Sequence, residues 1–158
     1  MNILVLCTGN SARSILLEAL LNSLGQGRVR AWSAGSQPAG QVHPNSLTLL
    51  RREGHDTRGL RSKSWDEFAG PDAPKMDAVI TVCGSAANET CPMWPGAPLR
   101  AHWGVEDPAA AAPDAAPAAF EQAYAILRRR AEAFMSEPVE TMQAADLKAH
   151  LSACGNLA

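Results

Sequence analysis

A short apolar run, Ile3-Leu4-Val5-Leu6, leads directly into Cys7-Thr8-Gly9-Asn10-Ser11-Ala12-Arg13-Ser14, and a leucine-rich amphipathic stretch from roughly Ser14 to Leu24 follows. The order is strand, loop, helix, with a cysteine and an arginine near the two ends of the loop. Gly9 admits a positive φ and lets the backbone approach a ligand closely. Asn10 tolerates the left-handed region. Free amide N–H groups at a helix start converge on an anion, and the helix dipole adds to their pull. The same donors stabilise a thiolate, so Cys7 is expected to ionise easily, with Ser14 placed to donate a hydrogen bond toward the sulfur. Thr8, Gly9, Asn10, Ser11, Ala12, Arg13 and Ser14 are therefore read as an oxyanion cradle above a nucleophilic Cys7. Cys-x5-Arg also arises by chance, and a cysteine ending a buried strand is often a small hydrophobe. The glycine and asparagine between the two residues, and the helix after them, favour the chemical reading. The glycine, lysine and serine or threonine pattern of nucleotide-phosphate loops is absent.

A chain of 158 residues suits one domain with a real core. The net charge of -2 gives no reason to expect nucleic acid or an anionic membrane as partner. No apolar run approaches the length of a bilayer span, and the N-terminal residues lack the basic leader of a signal peptide. A cytoplasmic location is expected, and a reducing compartment disfavours permanent disulfides. Cys7, Cys83, Cys91 and Cys154 are thus read as reactive or buried thiols. Their spacing does not match a zinc site.

Strand-like and helix-like runs alternate. Strands are expected at Asn2 to Leu6, Arg28 to Ser33, Ala78 to Val82 and Pro98 to Trp103. Helices are expected at Ser14 to Leu24, His43 to Glu53 and Pro117 to Phe134. Such alternation implies an α/β fold, with a parallel sheet covered by helices on both faces. Ligands then sit beyond the carboxyl ends of the strands. Cys7 ends the first strand, Cys83 the third, and Asp107 follows the fourth, so all three fall on one rim. The alanine- and proline-rich run Pro108 to Ala119 reads as a loop over the site. A catalytic domain over 1–135 and a C-terminal extension over 136–158 are expected, the latter with a short helix within Met142 to Leu151.

The segment Thr81 to Pro92 carries a second signal. In an ideal helix, two cysteines eight positions apart lie about 12 Å apart along the axis, whereas a disulfide needs Cα atoms roughly 4.4–6.8 Å apart. Gly84, Asn88 and Pro92 would ease the bending that closure requires. Cys83 and Cys91 are either a redox pair or two unrelated thiols. Asp107 is placed to protonate a leaving oxygen, with Glu106 as a competing acid. Aspartate before proline also commonly starts a turn.

Taken together, Cys7 to Ser14, Ser33-Ala34-Gly35, Cys83 with Cys91-Pro92, and His102-Trp103-Gly104 followed by Asp107-Pro108 resemble the low-molecular-weight tyrosine phosphatase superfamily. Within it, they resemble the arsenate reductases. The resemblance covers about Met1 to Phe134 and implies a flavodoxin-like three-layer sandwich with a four-stranded parallel sheet. It also implies a thiol relay. Cys7 attacks arsenate held by the loop amides and Arg13, and Asp107 assists departure of an oxygen. Cys83 then forms a disulfide with Cys7 as arsenite leaves, and Cys91 moves that disulfide outward to Cys83–Cys91. The implied reductant is external, thioredoxin or glutathione with glutaredoxin. Each step is thiolate attack on sulfur or arsenic, and the planar fork of Arg13 suits a tetrahedral arsenate or phosphate-like oxyanion. Ala12 stands where many members carry a cysteine. The Cys83–Cys91 spacing is one residue longer than in thioredoxin-linked members. Some members bind potassium near the loop; the matching positions are Asn10, Glu18, Ser33 and Asp66. No tightly bound cofactor is implied.

The main rival is a low-molecular-weight phosphomonoesterase or tyrosine phosphatase using Cys7, Arg13 and Asp107. The residues after Asp107 are Pro108-Ala109-Ala110-Ala111-Ala112, and the single tyrosine, Tyr124, falls in an expected helix. A flat aromatic substrate therefore has little to stack on beyond Trp94 or Trp103, and a redox pair has no purpose in hydrolysis. A noncatalytic oxyanion sensor is the reading from another class, and the retained thiols and acid argue against it.

Overall fold

The computed structural model describes residues 1–84, 94 and 98–158. Four strands, β1 (Asn2–Leu6), β2 (Arg30–Ala34), β3 (Ala78–Thr81) and β4 (Leu99–His102), form one sheet in the order β2-β1-β3-β4, and every pairing is parallel. Leu6 stands beside Ala34 on one side and Thr81 on the other, and Thr81 beside His102. The carboxyl ends of all four strands thus share one edge. The chain steps from β1 outward to β2 and then back across β1 to β3. That reversal opens a crevice at the end of β1, where ligands of such sheets bind. This is the expected flavodoxin-like α/β arrangement.

The pleat of β1 divides the core. Ile3 and Val5 face one cluster with the helices α1 (Arg13–Gly25) and α3 (Ala116–Met135), whereas Leu4 and Leu6 face Phe68, Met76, Val79 and Trp94. Helix α1 departs from the amphipathic expectation. Every residue from Ser14 to Leu21 is buried, because α1 packs on β1 and β2 and also against α2 (Pro44–Arg52) and α3. Helix α2 starts at a His43 cap and is followed by Gly54 at φ 84. Strand β2 begins two residues later than expected. Arg28 closes a turn onto Gly25 instead, and its guanidinium is bound by the Glu140 carboxylate and the carbonyls of Met135 and Glu137.

The C-terminal segment forms helix α4 (Ala144–Gly155) against β4. Leu147, Leu151 and Cys154 are buried in the core that also holds Trp103 and Phe134. The Trp103 indole N–H donates to the Leu151 carbonyl at 2.9 Å. Among the described residues no helix is long and apolar enough to cross a membrane.

Candidate active site

The loop after β1 is held from outside by its carbonyl groups. Thr8 O accepts from Gln37 N–H, Gly9 O from Ala39 N–H and the Ser62 hydroxyl, and Ser11 O from His43 N–H and the Ser46 hydroxyl. With these carbonyls anchored away from the centre, the loop amides beyond Thr8 are left to face inward. Helix α1 begins at once, with no side-chain cap on its first turn. Its opening N–H groups therefore lack an internal partner and point to the same place. Asn10 takes φ 46 and is wholly buried. Its amide donates to Ser14 Oγ at 2.8 Å and Ser33 Oγ at 2.9 Å, while its Oδ1 accepts from Lys63 N–H at 2.9 Å.

Cys7, Gly9, Asn10, Ser11, Ala12, Arg13, Asp107 and Ala109 line a small cavity of about 60 Å³. Thr8 and Ser14 stand behind this lining, Thr8 toward Cys83 and Ser14 toward Asn10. Arg13 is steered by a bond to the Val105 carbonyl at 3.0 Å and by Asp107 at 3.6 Å, and its Nε is buried without a partner among the described residues. Asp107 both faces Arg13 and accepts from Ala109 N–H at 3.0 Å. It thus serves the turn Pro108–Ala110 as well as the cavity. Glu106, its competitor, lines only the larger neighbouring cavity of about 540 Å³ between the 104–111 segment and α3.

Cys83 arrives from the end of β3. Thr8 N–H donates to Cys83 Sγ at 3.4 Å, and the Thr8 hydroxyl lies 3.7 Å from it. These bonds seat Cys83 next to Cys7, and the neighbouring thiol and burial push the Cys7 pKa well above the ordinary thiol range. Arg13 and the Thr8 N–H pull it down but do not win. The easy ionisation expected of Cys7 is thus opposed by its neighbour, which the sequence placed on the same rim but not against the same sulfur. Cys91 lies outside the described residues.

Two tryptophans considered as substrate platforms are placed elsewhere. Trp103 is fully buried against Phe134, and Trp94 packs on Trp65. Tyr124 bonds His55 at 2.7 Å. Among the described residues, none that lines the small cavity is aromatic. Of the four positions matched to potassium, Asn10, Glu18 and Ser33 share one hydrogen-bonded network, and Asp66 is exposed. Sequence reasoning missed Lys63, whose ammonium lies 3.8 Å from Glu18. It also missed the Val105 carbonyl that aims Arg13. Burial raises the Glu18 pKa, and Lys63 and Ser33 draw it back; burial likewise lowers that of Lys63 against the pull of Glu18.

Residues 2–148 match the family model described as low molecular weight phosphotyrosine protein phosphatase. The chain belongs to this family. Among its relatives is an arsenate reductase of Bacillus licheniformis, 38% identical over 107 residues that make up 67% of this chain and 73% of that protein. A glutaredoxin arsenate reductase of Synechocystis is 30% identical over 106 residues, 67% of this chain and 77% of that one. Of solved structures, an arsenate reductase in the phosphate binding state superposes with TM-score 0.68 at 25% identity, covering 85% of this chain and 96% of that one. In this phosphatase-family chain the anchored loop, Cys7, Arg13 and Asp107 come together at the end of β1, where the fold places its ligand.

Proposed function

We propose that this chain reduces arsenate to arsenite by thiol chemistry at the loop cavity. The observation that carries the reading is a second buried cysteine, Cys83, held by Thr8 beside the loop nucleophile Cys7. Hydrolysis uses one thiol, whereas reduction of arsenic by two electrons uses two. Relatives named arsenate reductase, at 38% and 35% identity, support the same reading.

Arsenate enters the cavity, its oxygens held by the inward amides and the Arg13 fork. The Cys7 proton, retained in the free site, passes to an oxyanion that is itself a base. The Cys7 thiolate attacks arsenic, and an oxygen ligand leaves as water with a proton from Asp107. Cys83 then attacks the Cys7 sulfur. The sulfur–sulfur bond forms, the sulfur–arsenic bond breaks, and its electron pair stays on arsenic, which departs as arsenite. Cys91 attacks Cys83 in turn and frees Cys7, leaving a Cys83–Cys91 disulfide for an external dithiol or glutathione system to reduce. The relatives include one named for glutaredoxin, and a Corynebacterium glutamicum structure is described as thioredoxin-dependent.

The test is arsenite formation from arsenate with thioredoxin, glutathione–glutaredoxin and mycothiol systems, run beside p-nitrophenyl phosphate cleavage. Arsenite with at least one reductant supports the proposal; phosphatase turnover without arsenite under all three overturns it. Asp107→Asn keeps an oxygen for the Ala109 N–H but loses the transferable proton. Turnover should fall about 10²–10⁴-fold with the thermal midpoint unchanged.

A further inference from the structure

Lys63 is 7% exposed and is tied to the loop through Asn10 and to the end of β2 through Gly35. Its backbone N–H donates to Asn10 Oδ1 at 2.9 Å, and its carbonyl accepts from Gly35 N–H at 2.9 Å. Its ammonium donates to the Arg61 carbonyl at 3.1 Å and stands 3.8 Å from Glu18 Oε1. Glu18, 9% exposed, accepts from the Ser33 hydroxyl, which in turn accepts from the Asn10 amide. A closed circuit thus runs from Lys63 through Glu18, Ser33 and Asn10 back to Lys63. Asn10 is the loop residue in the left-handed conformation, so the circuit fixes the loop where its backbone is least free. A carboxylate this deep needs a cation. The Arg61 guanidinium is paired outward with Glu67 and acts on Glu18 more weakly, and among the described residues Lys63 is the cation paired with Glu18. The potassium-matched residues fit a free ion poorly for the same reason: Asn10 Oδ1 is already bonded, and Glu18 already has a positive charge beside it.

We propose that the Lys63 ammonium is a built-in cation that positions the oxyanion loop through Glu18, Ser33 and Asn10, so that loop order and anion affinity need no free monovalent ion. The inference concerns the loop as an oxyanion holder and stands whether the bound anion is reduced or hydrolysed. Lys63 is a positioning residue, not a group that touches substrate.

The test compares wild type, Lys63→Arg and Lys63→Gln in potassium chloride and in choline chloride at equal ionic strength. Two readouts are taken, the thermal midpoint and the affinity for inorganic phosphate by calorimetry. Wild type and Lys63→Arg should give the same values in both salts. Lys63→Gln should lose stability and bind phosphate about tenfold more weakly in choline chloride, and both should recover in potassium. A potassium-specific gain in wild type overturns the proposal, as does Lys63→Gln behaving like wild type in choline or being equally impaired in both salts. Should Lys63→Gln not fold, the wild-type salt comparison decides alone. Failure of phosphate to bind wild type at all would count against the proposed function, and the thermal midpoints would still decide on Lys63.

Discussion

At the scale of single residues, the placing of Cys83 beside Cys7, on the Thr8 N–H, governs the site's acid–base behaviour. Cys83 and burial raise the Cys7 pKa, and Arg13 and Thr8 oppose them. Cys83→Ala removes the largest of these effects and leaves the lowering ones in place. The pH midpoint for iodoacetamide modification of Cys7, followed by peptide mass spectrometry, should therefore fall by about one unit or more. An unchanged or higher midpoint would contradict the assignment. The raised value also carries a sign for stability. The folded chain keeps a proton that the unfolded chain releases, so the Cys7 contribution is full below the ordinary thiol range and is lost progressively as pH rises from that range toward the raised folded-state value. That Cys7, Arg13 and Asp107 would lie together was legible in the sequence, because it follows from the ends of strands. Lys63 was not, because a lysine acquires this role only through burial beside a carboxylate, which no local pattern announces.

At the scale of elements, the loop works because its carbonyl groups are engaged by three neighbouring segments. Strand, loop and helix were legible from the apolar run, the small polar residues and the leucines. The buried, all-round character of α1 was not, since it depends on α3 packing over it. Gly35 shows how tightly β2 abuts the loop. A Cβ there would meet the Cys7 carbonyl at 2.7 Å and the Thr8 carbonyl closer still. Gly35→Ala should push the loop out of register and lower stability by about 1–3 kcal/mol, with weaker phosphate binding in calorimetry. Unaltered binding at unaltered stability would show the loop free to yield.

At the scale of the whole molecule, the parallel order β2-β1-β3-β4 puts Cys7 at the crevice and brings Cys83 up beside it. The rim was legible from the alternation of strands and helices together with Cys7, Cys83 and Asp107, which follow the ends of β1, β3 and β4. The path of residues 136–158 was not, since neither the Arg28 grip on Glu140 nor the Trp103 bond to Leu151 leaves a mark on periodicity. Leu151 is fully buried. Leu151→Ala should destabilise the chain by about 2–5 kcal/mol, read as an earlier urea midpoint in one cooperative transition. A separate early transition confined to the tail would show that it does not share the core.

The most direct measurement is a single turnover with reduced protein and equimolar arsenate, without any reductant, followed by mapping of disulfide-linked peptides. Wild type should release about one arsenite per chain and end with a disulfide that includes Cys83. Cys83→Ser should release none while still cleaving p-nitrophenyl phosphate. Arsenite release by Cys83→Ser at the wild-type level, or wild type left with Cys83 reduced, would contradict the two-thiol account.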